Sequence, residues 1–199
     1  MTAIVRRPAP TFECTALIDG EFRRISLEGF RGRYLVLFFY PLDFTFVCPT
    51  EILAFNERLS EFHELNAAVV GCSIDSEFVH LAWSRTPQAD GGVEGLRLPL
   101  LADVNRDIAR SYGVLLEEGM AARGLFLIDR EGVVRSITIH DLPLGRSVDE
   151  ALRVLRALRF TEEHGEVCPA DWKPGSPTIV PEPAASRSYF SETSRPLAE

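Results

Sequence analysis

From Tyr34 to Leu42 the chain reads Tyr-Leu-Val-Leu-Phe-Phe-Tyr-Pro-Leu, with no charged residue. A strand with one wet face alternates apolar and polar residues. A strand apolar at both alternate sets must be covered on both faces. The run is about half the roughly 20 residues needed to cross a membrane. It therefore reads as a central strand between helical layers, and the rest of the chain has to supply those layers.

It does so in order. Residues 11–27 alternate around an Asp19-Gly20 turn, the pattern of an N-terminal β-hairpin. After the strand and the Pro41–Thr45 loop, Ile52, Phe55, Leu59 and Phe62 fall on one face of a single helix. Ala67–Ile74 is a second buried strand, Ser76 an N-cap for a helix running through Trp83, and Pro87 its stop. Gln88–Gly95 is a loop, Leu98–Leu101 a short strand, and Arg106–Tyr112 a short helix closed by Gly113. A second hairpin joins Leu125–Asp129 to Val133–Ile139. Ser147 caps a helix that turns Val148, Ala151, Leu152, Leu155 and Leu158 inward, with Glu150 placed as in a capping box. Strands alternating with helices, with hairpins at the ends, predict an α/β fold with a mixed central sheet, and a thioredoxin-like layout satisfies that order.

After Gly165 the texture changes. Prolines recur at 169, 174, 177, 181 and 183 and no helical or strand period survives. We read 1–164 as the domain and 165–199 as an extended C-terminal arm, with Trp172, Ile179, Val180, Tyr189 and Phe190 needing a surface to dock on. The chain of 199 residues is long enough for one core without disulfides or metals to hold it. Its 29 acidic residues outnumber 21 basic ones, for a net charge of −8, which argues against a general nucleic-acid role. Met1–Pro8 lacks the apolar stretch of a secretion signal. No membrane association and a cytoplasmic location are expected.

The four cysteines, Cys14, Cys48, Cys72 and Cys168, form no CxxC, and the four histidines form no HxxxH. A zinc site is not expected, nor any cofactor. Cys14 and Cys72 sit in apolar strand contexts and read as small core residues. Cys48 differs. In Pro41-Leu-Asp-Phe-Thr45-Phe-Val-Cys48-Pro49-Thr-Glu51 it follows a buried strand and opens a helix. That is where open α/β sheets place ligands. A thiol in a first helical turn faces unpaired N–H groups and the positive end of the dipole, and both stabilise a thiolate. Thr45, three residues earlier, can reach the same spot, either as a functional hydroxyl or simply as the helix cap.

This segment resembles the active-site signature of the peroxiredoxins, thiol peroxidases on a thioredoxin-like fold. Four further blocks are similar to the typical two-cysteine subgroup, in the same order: Ser73–Trp83, Arg123–Asp129, Asp141–Glu150 and Gly165–Gly175. The resemblance implies that Cys48 attacks the peroxide and becomes a sulfenic acid. Thr45 holds the peroxide and Pro41 shields the thiolate. Arg123 stabilises the thiolate and the departing oxygen, Glu51 orients that arginine, and Arg146 is a second guanidinium nearby. Cys168 is implied as the resolving cysteine, supplied by a partner subunit. The further implications are hydroperoxide substrates, thioredoxin or a dedicated disulfide reductase as donor, and a homodimer that builds a ring of five dimers. Family members sensitive to excess peroxide cover the site with a Gly-Gly-Leu-Gly loop and a terminal Tyr-Phe pair. Here the loop is Gly91-Gly-Val-Glu-Gly95 and the pair Tyr189-Phe190, so intermediate sensitivity is expected, with Glu94 weakening the loop's packing over the tail.

Three other classes are possible for such a chain. A Cys-His hydrolase needs a base near Cys48, and no papain-like or caspase-like signature is present. A disulfide reductase of this fold uses CxxC. A non-enzymatic assembly protein would use the apolar arm alone and leave peroxide untouched.

Overall fold

The computed structural model describes residues 2–193. Seven strands are present among them: β1 (Glu13–Ile18), β2 (Glu21–Ser26), β3 (Tyr34–Phe39), β4 (Ala67–Ser73), β5 (Leu100–Ala102), β6 (Arg123–Ile128) and β7 (Val134–His140). They form one sheet in the order β2-β1-β5-β4-β3-β6-β7. Neighbours β3–β4 and β4–β5 are parallel and the other pairs antiparallel, so the sheet is mixed. β3 lies between β4 and β6 and is buried at every position, as its composition demands.

Successive side chains of β3 serve opposite faces. Leu35, Leu37 and Phe39 belong to the main core cluster with Tyr112 and Phe126. On the other face the Phe38 ring stacks on Phe55 at 4.7 Å and Tyr40 meets Trp83 at 6.1 Å. Close packing requires a glycine at one point on the neighbouring strand. A Cβ on Gly71 of β4 would lie 2.8 Å from Leu100 Cδ2 and 3.1 Å from Phe38 Cζ.

The helix expected over residues 52–62 is in fact two: α1 (Cys48–Glu57) and α2 (Leu59–Glu64). Arg58 leaves helical geometry, at φ −103° and ψ 15°. The Asn56 carbonyl, which a continuous helix would use internally, accepts instead from Arg97 Nη2 at 3.1 Å. The same residue explains why β5 begins at Leu100 rather than Leu98. The Arg97 and Leu98 N–H groups donate to Asn56 Oδ1 and Pro99 has no N–H, so no ladder forms before Leu100. The helix at Ser76 is found as α3 (Glu77–Ser84), with Ser76 Oγ accepting from the Val79 N–H, and α4 covers Asp107–Tyr112.

The chain forms two compact units, Met1–Val148 and Asp149–Glu199. The second contains nearly all of α5 (Val148–His164) and the arm. The arm is more regular than its prolines suggest. Val167 and Ile179 form an antiparallel bridge, and α6 spans Ser186–Thr193. Pro183 is the last proline before position 196, so nothing in residues 184–193 blocks helical hydrogen bonds. The last six residues of the arm, 194–199, lie outside the described range.

Replacing Gly71 with Ala forces Leu100 or Phe38 to move. We expect a loss of roughly 1–3 kcal/mol in urea unfolding, the usual cost of overpacking a core. An unchanged midpoint would show that the β4 neighbours yield freely.

Candidate active site

Tyr40 closes β3, and the chain turns through Pro41–Val47 into α1, whose first residue is Cys48. Val47 caps α1 without a side-chain bond. The cap role open to Thr45 is therefore not used: its hydroxyl donates to the Leu42 carbonyl at 2.9 Å. That bond uses the Thr45 proton and leaves its oxygen lone pairs available. Pro41 and Cys48 are buried and Thr45 is half-buried. Cys48 has no exposed surface.

Three charged side chains surround the thiol. Arg123, at the start of β6, places Nη1 3.4 Å from Cys48 Sγ. The same nitrogen donates to Glu51 Oε2 at 2.7 Å, while Nε is fixed on the Leu142 carbonyl at 2.6 Å. Glu51 lies one turn after Cys48 on α1. It also accepts from Arg146: the backbone N–H and Nε donate to Oε1, both at 2.7 Å, and Nη2 donates to Oε2 at 2.9 Å. Arg146 Nη1 donates to the Gly124 carbonyl at 2.6 Å, and its guanidinium lies 5.3 Å over the Phe38 ring. Arg146 thus holds Glu51 and makes no hydrogen bond to the sulfur.

Glu51 is only 3% exposed. Burial pushes its carboxyl up, but Arg146, with Arg123, outweighs that and holds it below the usual carboxylate range. Two guanidinium groups and one carboxylate leave a formal excess of one positive charge in a closed site. An anion on Cys48 Sγ neutralises it, which is how buried charges are tolerated. The arrangement suits attack by sulfur with charge developing on a neighbouring oxygen.

The sequence reading missed what fixes the loop. Tyr40 Oη donates to Asp43 Oδ1 at 2.8 Å, and His80 Nδ1 meets Asp43 Oδ2 at 2.7 Å. His80 Nε2 bonds the Leu101 carbonyl at 3.2 Å. The Asp43 N–H donates to Asp75 Oδ2, which also accepts from Ser73 Oγ. A carbonyl only accepts, so Nε2 carries a proton and Asp43 and His80 share the next one. Burial disfavours charge on His80, but Asp43 outweighs it and holds the imidazole up; burial also pushes the Asp43 carboxyl up. His80 is fully buried. Its pairing with Asp43 bridges 37 positions and has no local signature.

Cys14 and Cys72 are remote from this chemistry. Burial, with Asp103 adding to it, pushes the Cys14 thiol up to about 12, and Cys72 is likewise pushed well up. Both stay protonated. Cys168 lies in the second unit, half-buried against α5, with its thiol donating to the Ala157 carbonyl at 3.7 Å. The Gly91–Gly95 loop is firmly seated on its own unit. Val93 is fully buried, Trp83 Nε1 donates to the Gly91 carbonyl at 2.9 Å, and a Cβ on Gly92 would strike the Thr86 carbonyl. Glu94 itself is exposed. No cluster of metal-ligating side chains occurs among the described residues, and no helix there is long and apolar enough to cross a membrane.

Known proteins resemble this chain along most of its length. Residues 5–137 match the AhpC/TSA family, and residues 157–189 match the C-terminal domain of 1-Cys peroxiredoxin. Peroxiredoxin-2 of Bos taurus is 59% identical over 191 residues, covering 96% of each chain. A thioredoxin peroxidase of Echinococcus granulosus is 57% identical over 96% of this chain and all of its own length. The reduced 2-Cys peroxiredoxin of Plasmodium vivax superimposes with a TM-score of 0.93 at 42% identity, over 94% of this chain and 98% of that one.

Exchanging Glu51 for Gln leaves two buried guanidinium groups without their carboxylate. We expect a loss of roughly 3–5 kcal/mol in chemical denaturation, the cost of breaking a buried ion pair from one side. Wild-type stability in that variant would remove Glu51 as the hub of the cluster.

Proposed function

We propose, for a chain that belongs to the AhpC/TSA family and is a peroxiredoxin, that Cys48 is the thiol through which it reduces peroxides. The observation that carries this reading is Arg123 Nη1, 3.4 Å from Cys48 Sγ and pinned by Glu51. The Cys48 thiolate attacks one peroxide oxygen. The S–O bond forms as the O–O bond breaks, and the departing oxygen leaves as water or an alcohol after taking a proton. Arg123 and the free N–H groups of the first turn of α1 stabilise charge moving from sulfur to that oxygen. Thr45, its own proton committed to Leu42, accepts the peroxide O–H. Pro41 limits water at the thiolate. Arg146 acts by positioning Glu51.

Cys168 of a partner subunit then condenses with the Cys48 sulfenic acid, giving an intersubunit disulfide and water. Cys48 has no exposed surface, and a disulfide needs Cβ atoms within about 4.5 Å. The first turn of α1 must therefore unwind, and the arm must move, before the bond can form. In this division residues 1–164 bear the peroxidatic site and 165–199 bring the resolving thiol. Thioredoxin or a related dithiol protein returns the disulfide to thiols, a role supported by the thioredoxin peroxidase among the relatives. Exposed Phe22, Phe44, Phe46, Phe78 and Val104 supply an apolar surface suited to assembling dimers, with a ring of five as the proposed end state. A reducing compartment such as the cytoplasm suits four free thiols.

Two experiments test the assignment. Cys48→Ser should abolish peroxide turnover, while Cys168→Ser should consume one peroxide per site and stop at the sulfenic acid. No single turnover in Cys168→Ser would refute the division of roles. Arg123→Ala should slow iodoacetamide alkylation of Cys48 at neutral pH by about tenfold or more. A rate equal to wild type would remove Arg123 from the site.

A further inference from the structure

One stripe of α5 carries Glu150, Arg153, Ala157, Phe160, Thr161 and His164, spaced three or four residues apart and therefore on one face. The start of the arm lies along that stripe. The Cys168 thiol donates to the Ala157 carbonyl at 3.7 Å, with Thr161 Oγ1 3.8 Å from the sulfur. The Trp172 ring packs on Phe160 at 5.1 Å, and Phe160 stacks on His164 at 4.1 Å. Trp172 folds the segment into a hook, with its N–H on the Pro169 carbonyl at 3.2 Å and Nε1 on the Ser176 carbonyl at 3.1 Å. It is 3% exposed in an otherwise open segment.

Arg153 fastens this hook to the helix. Nε and Nη2 grip Glu150 in a fork of 2.6 and 2.8 Å, which fixes the guanidinium plane. The remaining nitrogen, Nη1, donates to the Trp172 carbonyl at 3.3 Å. The other contacts named between α5 and the hook are apolar or involve the weakly bonding thiol, so Arg153 supplies the charged tie among them.

We propose that Arg153 is a positioning residue for the resolution step: by latching the Trp172 hook to α5 it sets the division of the Cys48 sulfenic acid between disulfide and over-oxidation. This rests on Cys168 being the resolving thiol. While the hook is latched, the Cys168 proton is given to Ala157 and its sulfur faces its own helix. To react, the thiol leaves that carbonyl. The Cys168 S–H and the Cys48 sulfenic acid then form an S–S bond, and the thiol proton departs with the sulfenic hydroxyl as water. Until it does, a second peroxide can oxidise the sulfenic acid to sulfinic acid. A tighter latch lengthens that interval and a looser one shortens it.

The test uses the reduced full-length protein, mixed with a series of hydrogen peroxide concentrations, quenched and weighed intact. Arg153→Gln should lower the ratio of sulfinic acid to disulfide by roughly three- to tenfold, the span expected for losing one intramolecular hydrogen bond. The rate at which Cys48 is first oxidised should not change. Arg153→Lys, which keeps a cationic donor for the Trp172 carbonyl, should recover part of the wild-type ratio. Phe160→Leu loosens the same hook from its apolar side and should shift the ratio in the same direction. A ratio in Arg153→Gln equal to wild type, or one shifted toward sulfinic acid, would overturn the latch. If wild-type protein forms no Cys48–Cys168 disulfide, the assignment of Cys168 falls and the latch falls with it; failure of the latch alone leaves that disulfide intact.

Discussion

The carboxylate of Glu51 ties three distant stretches of chain to one point. Its two oxygens accept from Arg123 on β6 and from both the side chain and backbone of Arg146, beyond β7. Glu51 itself is fixed to α1 one turn from Cys48, so the helix start, the sheet and the segment before α5 cannot shift independently. The cost of burying a carboxylate is offset only by so complete a set of partners. The cluster retains one uncompensated positive charge, and Cys48 is the group placed to answer it. Stability and reactivity here have the same source.

A second buried network holds the approach to the site. Tyr40, Asp43, His80, Ser73 and Asp75 lock the loop between β3 and α1 from beneath. Phe44 within that loop adopts a φ of 54°, a left-handed conformation that a bulky residue keeps only when its surroundings impose it. A rigid loop and a helix start without a side-chain cap meet at Cys48.

Much of this was legible in the sequence. The unbroken apolar run identified β3 and the two-faced sheet, and the Pro41–Glu51 segment put Cys48 at the start of the next helix. Arg123 alone would have read as an ordinary strand-leading charge. It drew attention only through the resemblance to a known family, because its bond to Glu51 spans 72 positions. The break at Arg58, the late start of β5 and the buried pair of Asp43 and His80 were not legible. Each depends on partners about 40 residues away, and no local periodicity records such contacts. α6 was missed because the prolines before it dominate the composition of the arm, although residues 184–193 are free of them. The stripe of α5 that carries Arg153 was not read, because only the inward apolar face of that helix stood out and the stripe takes its meaning from the hook that lies on it.

The central claim is that one thiol, at the start of α1, meets the peroxide. The most direct measurement is to treat the reduced full-length protein with one equivalent of hydrogen peroxide in the presence of dimedone, then map the labelled peptide by mass spectrometry. Sulfenic acid captured on Cys48, with Cys14, Cys72 and Cys168 unlabelled, is the expected result. Label on any other cysteine with Cys48 unmodified would contradict the account.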